Sequence, residues 1–432
     1  APAVRMLRAK RGVVSYLEDF IMNRRNFLKG VSGGLVLGGA GLAWPRMPLA
    51  MPASMGPAGL PAGTLEASLL EALAGKKPLI KRSFRPPNYE TPVAYFNELY
   101  TPNDAFFVRY HIANIPEVAA QTWKLRIGGE ALQTPMELSL DDLARGFERV
   151  ELAALCMCAG NRRGLFQPHV PGIEWGNGAM GNARWVGVRL RDVLNKAGVK
   201  KEAVEVVFDG ADSGIAAYKT PDFVKSLPMW KALDENTLIA FEMNGAPLPH
   251  WNGFPARLIV PGWAATYWVK QLMSVDVVAK PFEGFWMKPA YRIPLGKFAN
   301  VDRFITQETA VNTPITDMVV NSLITNIEEG QRFRPGQSVD VKGVAWDGGY
   351  GIRTVEVSLD EGQSWRPAML GQDAGRFSWR QWSYRFKPAR RGKMTVMAKA
   401  SNRIGQTQTA ELILNPAGYH HNLIQKATIQ VG

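Results

Sequence analysis

Apolar positions along this 432-residue chain follow two patterns. Over 101–280, short apolar runs alternate with loops and a few helical stripes. Leu190, Val193, Leu194 and Ala197 recur at three- and four-residue spacing. That spacing predicts a helix over 190–197 with one apolar face, and Gly198 supplies its stop. Runs at 204–208, 237–241 and 257–260 predict short strands, giving a mixed α+β domain. From about residue 313 the pattern changes. Segments 338–345, 354–359, 379–386, 393–400 and 407–414 read as short strands separated by turn residues, as in Trp346-Asp-Gly-Gly-Tyr-Gly351. Their spacing over roughly a hundred residues predicts an immunoglobulin-like β-sandwich, without the disulfide of antibody domains. Residues 54–100 are proline-rich and irregular and read as a wrap over the first domain.

One apolar run ends differently. Glu151-Leu-Ala-Ala-Leu-Cys-Met-Cys-Ala-Gly-Asn-Arg-Arg-Gly164 reads as a buried strand that delivers Cys158 to a turn. Arg162 and Arg163 set two fixed positive charges near that sulfur. Cationic neighbours favour the thiolate, the form that binds metal. Cys158 is therefore a candidate metal ligand, with the arginines holding an oxyanion beside it. The only other cysteine is Cys156. Two cysteines this close suit neither a disulfide framework nor a cysteine-based zinc site. There is no Cys-x-x-Cys-His, no His-Glu-x-x-His and no P-loop lysine motif, so covalent c-type haem is excluded for this chain.

Charge narrows the picture further. The net charge is +13, and about half of it lies in residues 1–50, where eight Lys/Arg face two acidic residues. The modest remaining excess suits an anionic small substrate or an acidic partner and forms no nucleic-acid stripe. Asn23-Arg-Arg-Asn-Phe-Leu-Lys29 precedes a mild apolar run ending at Trp44 that is too short for a membrane span. These are the parts of a twin-arginine export signal, so residues 1–53 are expected to be a leader and the protein periplasmic. Met22 is the expected natural start, with 1–21 upstream of it.

Three further constellations carry chemistry. Phe106-Phe-Val-Arg-Tyr-His111 places Arg109 and His111 on one strand face. Trp175-Gly-Asn-Gly-Ala-Met-Gly-Asn-Ala-Arg-Trp185 has closely spaced glycines that let backbone approach a bulky ligand. The third runs from Gly245 through Asn252-Gly-Phe-Pro-Ala-Arg257 to Tyr267-Trp-Val-Lys270.

With Cys-Ala-Gly-Asn-Arg-Arg and Gly284-Phe-Trp-Met-Lys-Pro-Ala-Tyr-Arg292, these stretches resemble the sulfite oxidase family of molybdenum enzymes, in particular the exported bacterial sulfite dehydrogenases. The resemblance implies a molybdopterin-binding domain over 54–295, a linker over 296–312, an immunoglobulin-like dimerisation domain over 313–418 and a tail over 419–432. It implies a molybdenum–pyranopterin cofactor with Cys158 as the only protein ligand to the metal. Cys156 does not match the ligand position and reads as a buried small residue. Cofactor contacts map onto Phe107, Val108, Arg109, Tyr110, His111, Asp212, Asn252, Arg257, Trp268, Val269 and Lys270. At Asn252 the animal enzymes carry a histidine, so that contact is altered. Arg109 and Arg163 match the arginines that bind sulfite, and their forked donors suit paired oxygens. Arg162 is expected to lie behind them. Tyr291 matches the active-site tyrosine and Trp175 a pocket-lining aromatic. A further arginine of the animal enzymes falls at Ala417, and His421 is the candidate to supply a positive group there.

The implied reaction is oxygen-atom transfer to sulfite. Electrons then leave one at a time to a c-type cytochrome or a haem-bearing partner subunit. A methionine-sulfoxide reductase catalytic subunit is the nearest rival, but that group lacks the β-sandwich. A nitrate reductase module would need flavin and haem domains. A non-enzymatic binding protein would not need Cys158, Arg109, Arg163 and Tyr291 together.

Overall fold

In the computed structural model, residues 70–214, 221–294 and 312–432 are described. The expected leader and most of the expected linker lie outside these residues. The described residues all belong to one compact unit.

Two sheets build the first part. One has five strands in the order Lys225–Pro228, Glu205–Gly210, Leu272–Val278, Leu125–Gly128, Met136–Leu138. The pairing of Leu272–Val278 with Leu125–Gly128 is parallel, and the others in this sheet are antiparallel. The other sheet runs Ala246–Pro247, Leu238–Met243, Met180–Arg189, Arg149–Met157, with Arg257–Ile259 also paired to Leu238–Met243. A helix at Leu190–Ala197 buries the four predicted stripe residues. Gly198 ends it with φ 77°, a conformation that favours glycine, and its N–H returns to the carbonyls of Leu194 and Asn195.

Residues 70–109 are less irregular than composition suggests. Leu70–Glu71, Leu79–Ser83, Asn88–Glu90 and Val108–Arg109 form a small antiparallel sheet. Proline and short segment length hid it, because each strand gains its partners only through the others.

In the C-terminal part, two sheets share one apolar core that includes Val341, Val357, Trp382, Val396 and Ile429. Four of the five expected strands are present, at Val339–Trp346, Ile352–Ser358, Arg380–Phe386 and Gly392–Asn402. The strand expected at 407–414 is not: that segment makes only isolated bridges, and Leu414 is exposed. The expected tail supplies the missing strand. Gln425–Val431 lies inside a five-stranded sheet, antiparallel to Gly392–Asn402 and parallel to Gln331–Phe333. Its alternation buries Ala427, Ile429 and Val431, which is the period-two signal of a half-buried strand.

Candidate active site

The strand Arg149–Met157 is exposed at its start and buried over its last four residues. It delivers Cys158, whose N–H is tied to Ala179 O at 2.9 Å. Cys156 and Cys158 lie two residues apart and both thiols line the same cavity. The space within this cavity is narrow, about 40 Å³. Phe106, Phe107, Trp251 and Trp268 supply aromatic surface; Arg109, Arg257 and Lys270 supply positive charge; Asn252, His111 and Tyr291 complete the polar lining. No carboxylate is among the lining residues.

Each cation is held by backbone. Arg109 Nη1 donates to Tyr110 O at 2.6 Å and Asn88 Oδ1 at 3.0 Å. Lys270 Nζ donates to Arg109 O at 2.9 Å and lies 4.2 Å from the Tyr110 ring centre. Arg257 donates to Asn252 O and Trp268 O, with Trp185 and Trp268 on its flanks. Burial lowers the Lys270 ammonium to about 8 and lowers Arg257 as well. The Nε atoms of Arg109 and Arg257 are buried without a partner. A wall of cations with no carboxylate on its lining, with Asp212 acting only from behind Lys270, and with unused donors suits an anion.

Burial pushes the Cys156 thiol up to about 11, and Arg257 beside it pulls back only partly. Cys156 is therefore a protonated neighbour of Arg257. Among the described residues no three His, Cys, Asp or Glu side chains converge as a metal cage. A metal here needs its other ligands from a cofactor, and an anionic group with flat rings suits these cationic and aromatic walls.

Tyr291 and His111 share a hydrogen bond between Oη and Nε2. His111 stacks on Phe223 at 3.9 Å and meets Trp286 at 4.8 Å. Desolvation lowers its pKa well below the ordinary range, and Arg109, Lys270, Lys225 and Arg163 push the same way. Burial also raises Tyr291, so this pair is a neutral imidazole beside a neutral phenol.

The remaining expected residues divide clearly. Val108, Tyr110, Val269 and Asp212 are buried but do not line the cavity. Tyr110 accepts from Gln271 through its hydroxyl, and Asp212 acts electrostatically on Lys270. Arg163 lies beside the cavity, with Nε bonded to Ala417 O at 2.9 Å and Nη1 to Ile173 O at 3.2 Å. Trp175 is fully buried outside the lining. His421 is also outside it, in a second cavity behind the cysteine turn with Asn161 and Asn321. Burial lowers its ring to about 3, so it supplies no positive group. The glycines after Trp175 serve the fold. A Cβ at Gly178 would meet Thr91 O at 2.1 Å, and one at Gly181 the Phe106 ring at 2.5 Å. Glu90 accepts the N–H groups of Gly176 and Gly178.

Sequence reasoning missed Phe223, Lys225, Trp251 and Tyr419. Tyr419 stacks on Tyr291 at 5.7 Å, and it lies between Ala417 and His421, both already singled out. Lys225 carries no sequence signal at all.

The arrangement defines a molybdopterin oxidoreductase. Residues 112–286 match the family described as oxidoreductase molybdopterin binding domain, and 312–432 match the Mo-co oxidoreductase dimerisation domain. The chain is 36% identical over 339 residues to the mitochondrial sulfite oxidase of Macaca fascicularis, covering 75% of this chain and 60% of that one. It is 34% identical over 333 residues to the sulfite oxidase of Gallus gallus, covering 74% and 70%. A solved structure, the sulfane dehydrogenase SoxCD from Paracoccus pantotrophus, aligns with a TM-score of 0.69 at 26% identity over 90% of this chain and 92% of that one. This chain belongs to the sulfite oxidase family, and its cofactor is molybdenum–molybdopterin. It spans about 60% of the length of the macaque enzyme.

Proposed function

We propose that this protein oxidises sulfite to sulfate and passes the electrons singly to a c-type cytochrome. The observation that carries the reading is the carboxylate-free cationic cavity with Cys158, Arg109, His111 and Tyr291 on its wall. Cys158 would hold the metal, and Phe107, Arg109, Asn252, Arg257, Trp268 and Lys270 would hold the rest of the cofactor. When bound, that cofactor supplies oxygen-atom transfer. The chain's own residues bind and orient the anion. Arg109 offers its unused donors to the anion's oxygens, Arg163 beside the cavity adds its positive charge, and the Tyr291 hydroxyl offers one more donor. The neutral state of His111 leaves Tyr291 a hydrogen-bond partner without adding a competing charge. Aromatic surface from the buried Phe223 and the half-buried Trp286 limits water at this corner and strengthens each polar contact.

The same reading takes the leader as a twin-arginine signal and the enzyme as periplasmic. It takes the C-terminal sheets as an immunoglobulin-like sandwich through which two copies pair.

The test is direct. Molybdenum-loaded protein is mixed with sulfite and oxidised cytochrome c, and haem reduction is followed. Reduction dependent on sulfite is expected. Absence of reduction with molybdenum confirmed present refutes the reading, and turnover of a sulfane sulfur substrate instead would redirect it.

A further inference from the structure

Lys76 lies behind the cavity wall and is 7% exposed. Its Nζ donates three hydrogen bonds, to Asn103 O at 2.6 Å, Phe106 O at 3.1 Å and Asn252 Oδ1 at 2.6 Å. Asn252 in turn donates Nδ2 to Phe107 O at 3.0 Å and accepts Arg257 Nη1 on its carbonyl at 2.9 Å. Phe106, Phe107, Asn252 and Arg257 all line the cavity. One ammonium therefore ties together two distant wall segments, 106–107 and 252–257. Its donors are satisfied, while its charge is disfavoured by burial, which lowers its pKa to about 7, and is offset only in part by Asp104. Among the described residues no carboxylate pairs with Lys76, and the nearby Asp104 pairs with Lys77 at 3.3 Å. A buried charge without a counter-charge is costly unless an anion arrives beside it.

We propose that Lys76 is a positioning residue for the anionic cofactor, fixing Asn252 and the Phe106–Phe107 backbone from behind the wall they form, with an ammonium whose charged form the cofactor's anion favours. It acts through Asn252 and through its field, without touching the cofactor. The proposal rests on cofactor binding and is independent of the substrate.

Full-length Lys76→Met and Lys76→Gln are made beside the unaltered protein. Molybdenum and pterin per chain are measured, and thermal midpoints are taken for cofactor-loaded and cofactor-free forms. Substitution of a residue that orients a ligand from behind lowers binding by roughly tenfold or more. Lys76→Met is expected to lose cofactor on that scale, with its cofactor-free midpoint unchanged or raised because the buried charge is gone. Lys76→Gln keeps a donor for Asn252 but no charge, and is expected to retain an intermediate amount. The gap between loaded and free midpoints should narrow in the same order. Full cofactor content in both variants overturns the proposal. So does a cofactor-free midpoint that falls as far as the loaded one, because that marks a purely structural lysine. Should Lys76→Met fail to fold, the Lys76→Gln pair of midpoints decides alone by the same criterion.

Discussion

Lys225 gives the sharpest test of the electrostatics. It is 1% exposed, and its Nζ donates to Trp286 O at 2.6 Å while lying 4.4 Å from the Tyr267 ring centre and 5.2 Å from that of Tyr291. Among the described residues no carboxylate pairs with it. Burial lowers its pKa from 10.5 to about 7. That drop corresponds to about 5 kcal/mol against the charged form. The sign follows from proton counting. Unfolded, Lys225 keeps its proton to about pH 10.5; folded, it loses it near 7. Below pH 7 both states are protonated and the full penalty applies. Between 7 and 10.5 the unfolded chain holds more protons, so stability rises with pH. Lys225→Met removes the penalty at low pH. It also removes one charged hydrogen bond, about 1.5–3 kcal/mol, and two cation–ring contacts of about 0.5–1 kcal/mol each. The balance is a stabilisation of roughly 1 kcal/mol at pH 6 that shrinks or reverses toward pH 10. Denaturant midpoints of the cofactor-free protein at pH 6, 7.5 and 9 measure it. A difference between variant and parent that does not change with pH would refute the reasoning. So would a parent whose stability does not climb above pH 7.

Three further outcomes follow from the site. Cys158→Ser is expected to purify with little molybdenum, while Cys156→Ser keeps it, because only the first is the proposed ligand; metal analysis with the opposite result exchanges the two roles. Arg109→Met removes a guanidinium from the cavity wall and should raise KM for sulfite by about 30-fold, the scale of one charged hydrogen bond; an unchanged KM takes Arg109 out of the anion site. His421→Ala should leave KM within about twofold, since a neutral ring behind the cysteine turn supplies no charge to the anion; a tenfold rise would mean the ring reaches substrate.

Local signals survived into the fold wherever one segment carried the whole pattern. The helix Leu190–Ala197 was legible because its stripe, length and glycine stop all lie within nine residues. The delivery of Cys158 was legible because an apolar run ending in a turn is also local. What was not legible came from pairing between distant segments. Gln425–Val431 is a strand because Gly392–Asn402 and Gln331–Phe333 lie on either side of it, and its polar neighbours made it look like a tail. Lys76 and Lys225 were invisible for a different reason. Lysine is almost always exposed, and nothing in its sequence neighbourhood announces that its ammonium will be buried. The glycines after Trp175 misled because a close backbone approach looks the same in sequence whether the partner is a ligand or, as here, Glu90 and Thr91.

The two arginines after Cys158 show why the C-terminal part belongs to the site. They are adjacent in sequence, yet Arg162 takes φ 70°, the left-handed region, and the chain turns there. Arg162 therefore points away from its neighbour and donates Nη1 to Asn321 Oδ1 at 2.7 Å. Asn321 is itself fixed by donating to His421 O at 2.8 Å and accepting from Gln408 Nε2 at 3.0 Å. Arg163 folds over Gly160, where a Cβ would meet its guanidinium at 2.5 Å, and ends on the Ala417 carbonyl above the Tyr419 ring. Gly418 has φ 61°, and a Cβ there would meet Val170 and Arg163, so this contact needs glycine at that corner. Tyr419 then stacks on Tyr291. Both arginines and the tyrosine of the site are thus held by residues beyond 312. The domain that carries Cys158 supplies the cavity, but the orientation of Arg163 and Tyr291 beside it depends on the segment that returns at 415–421.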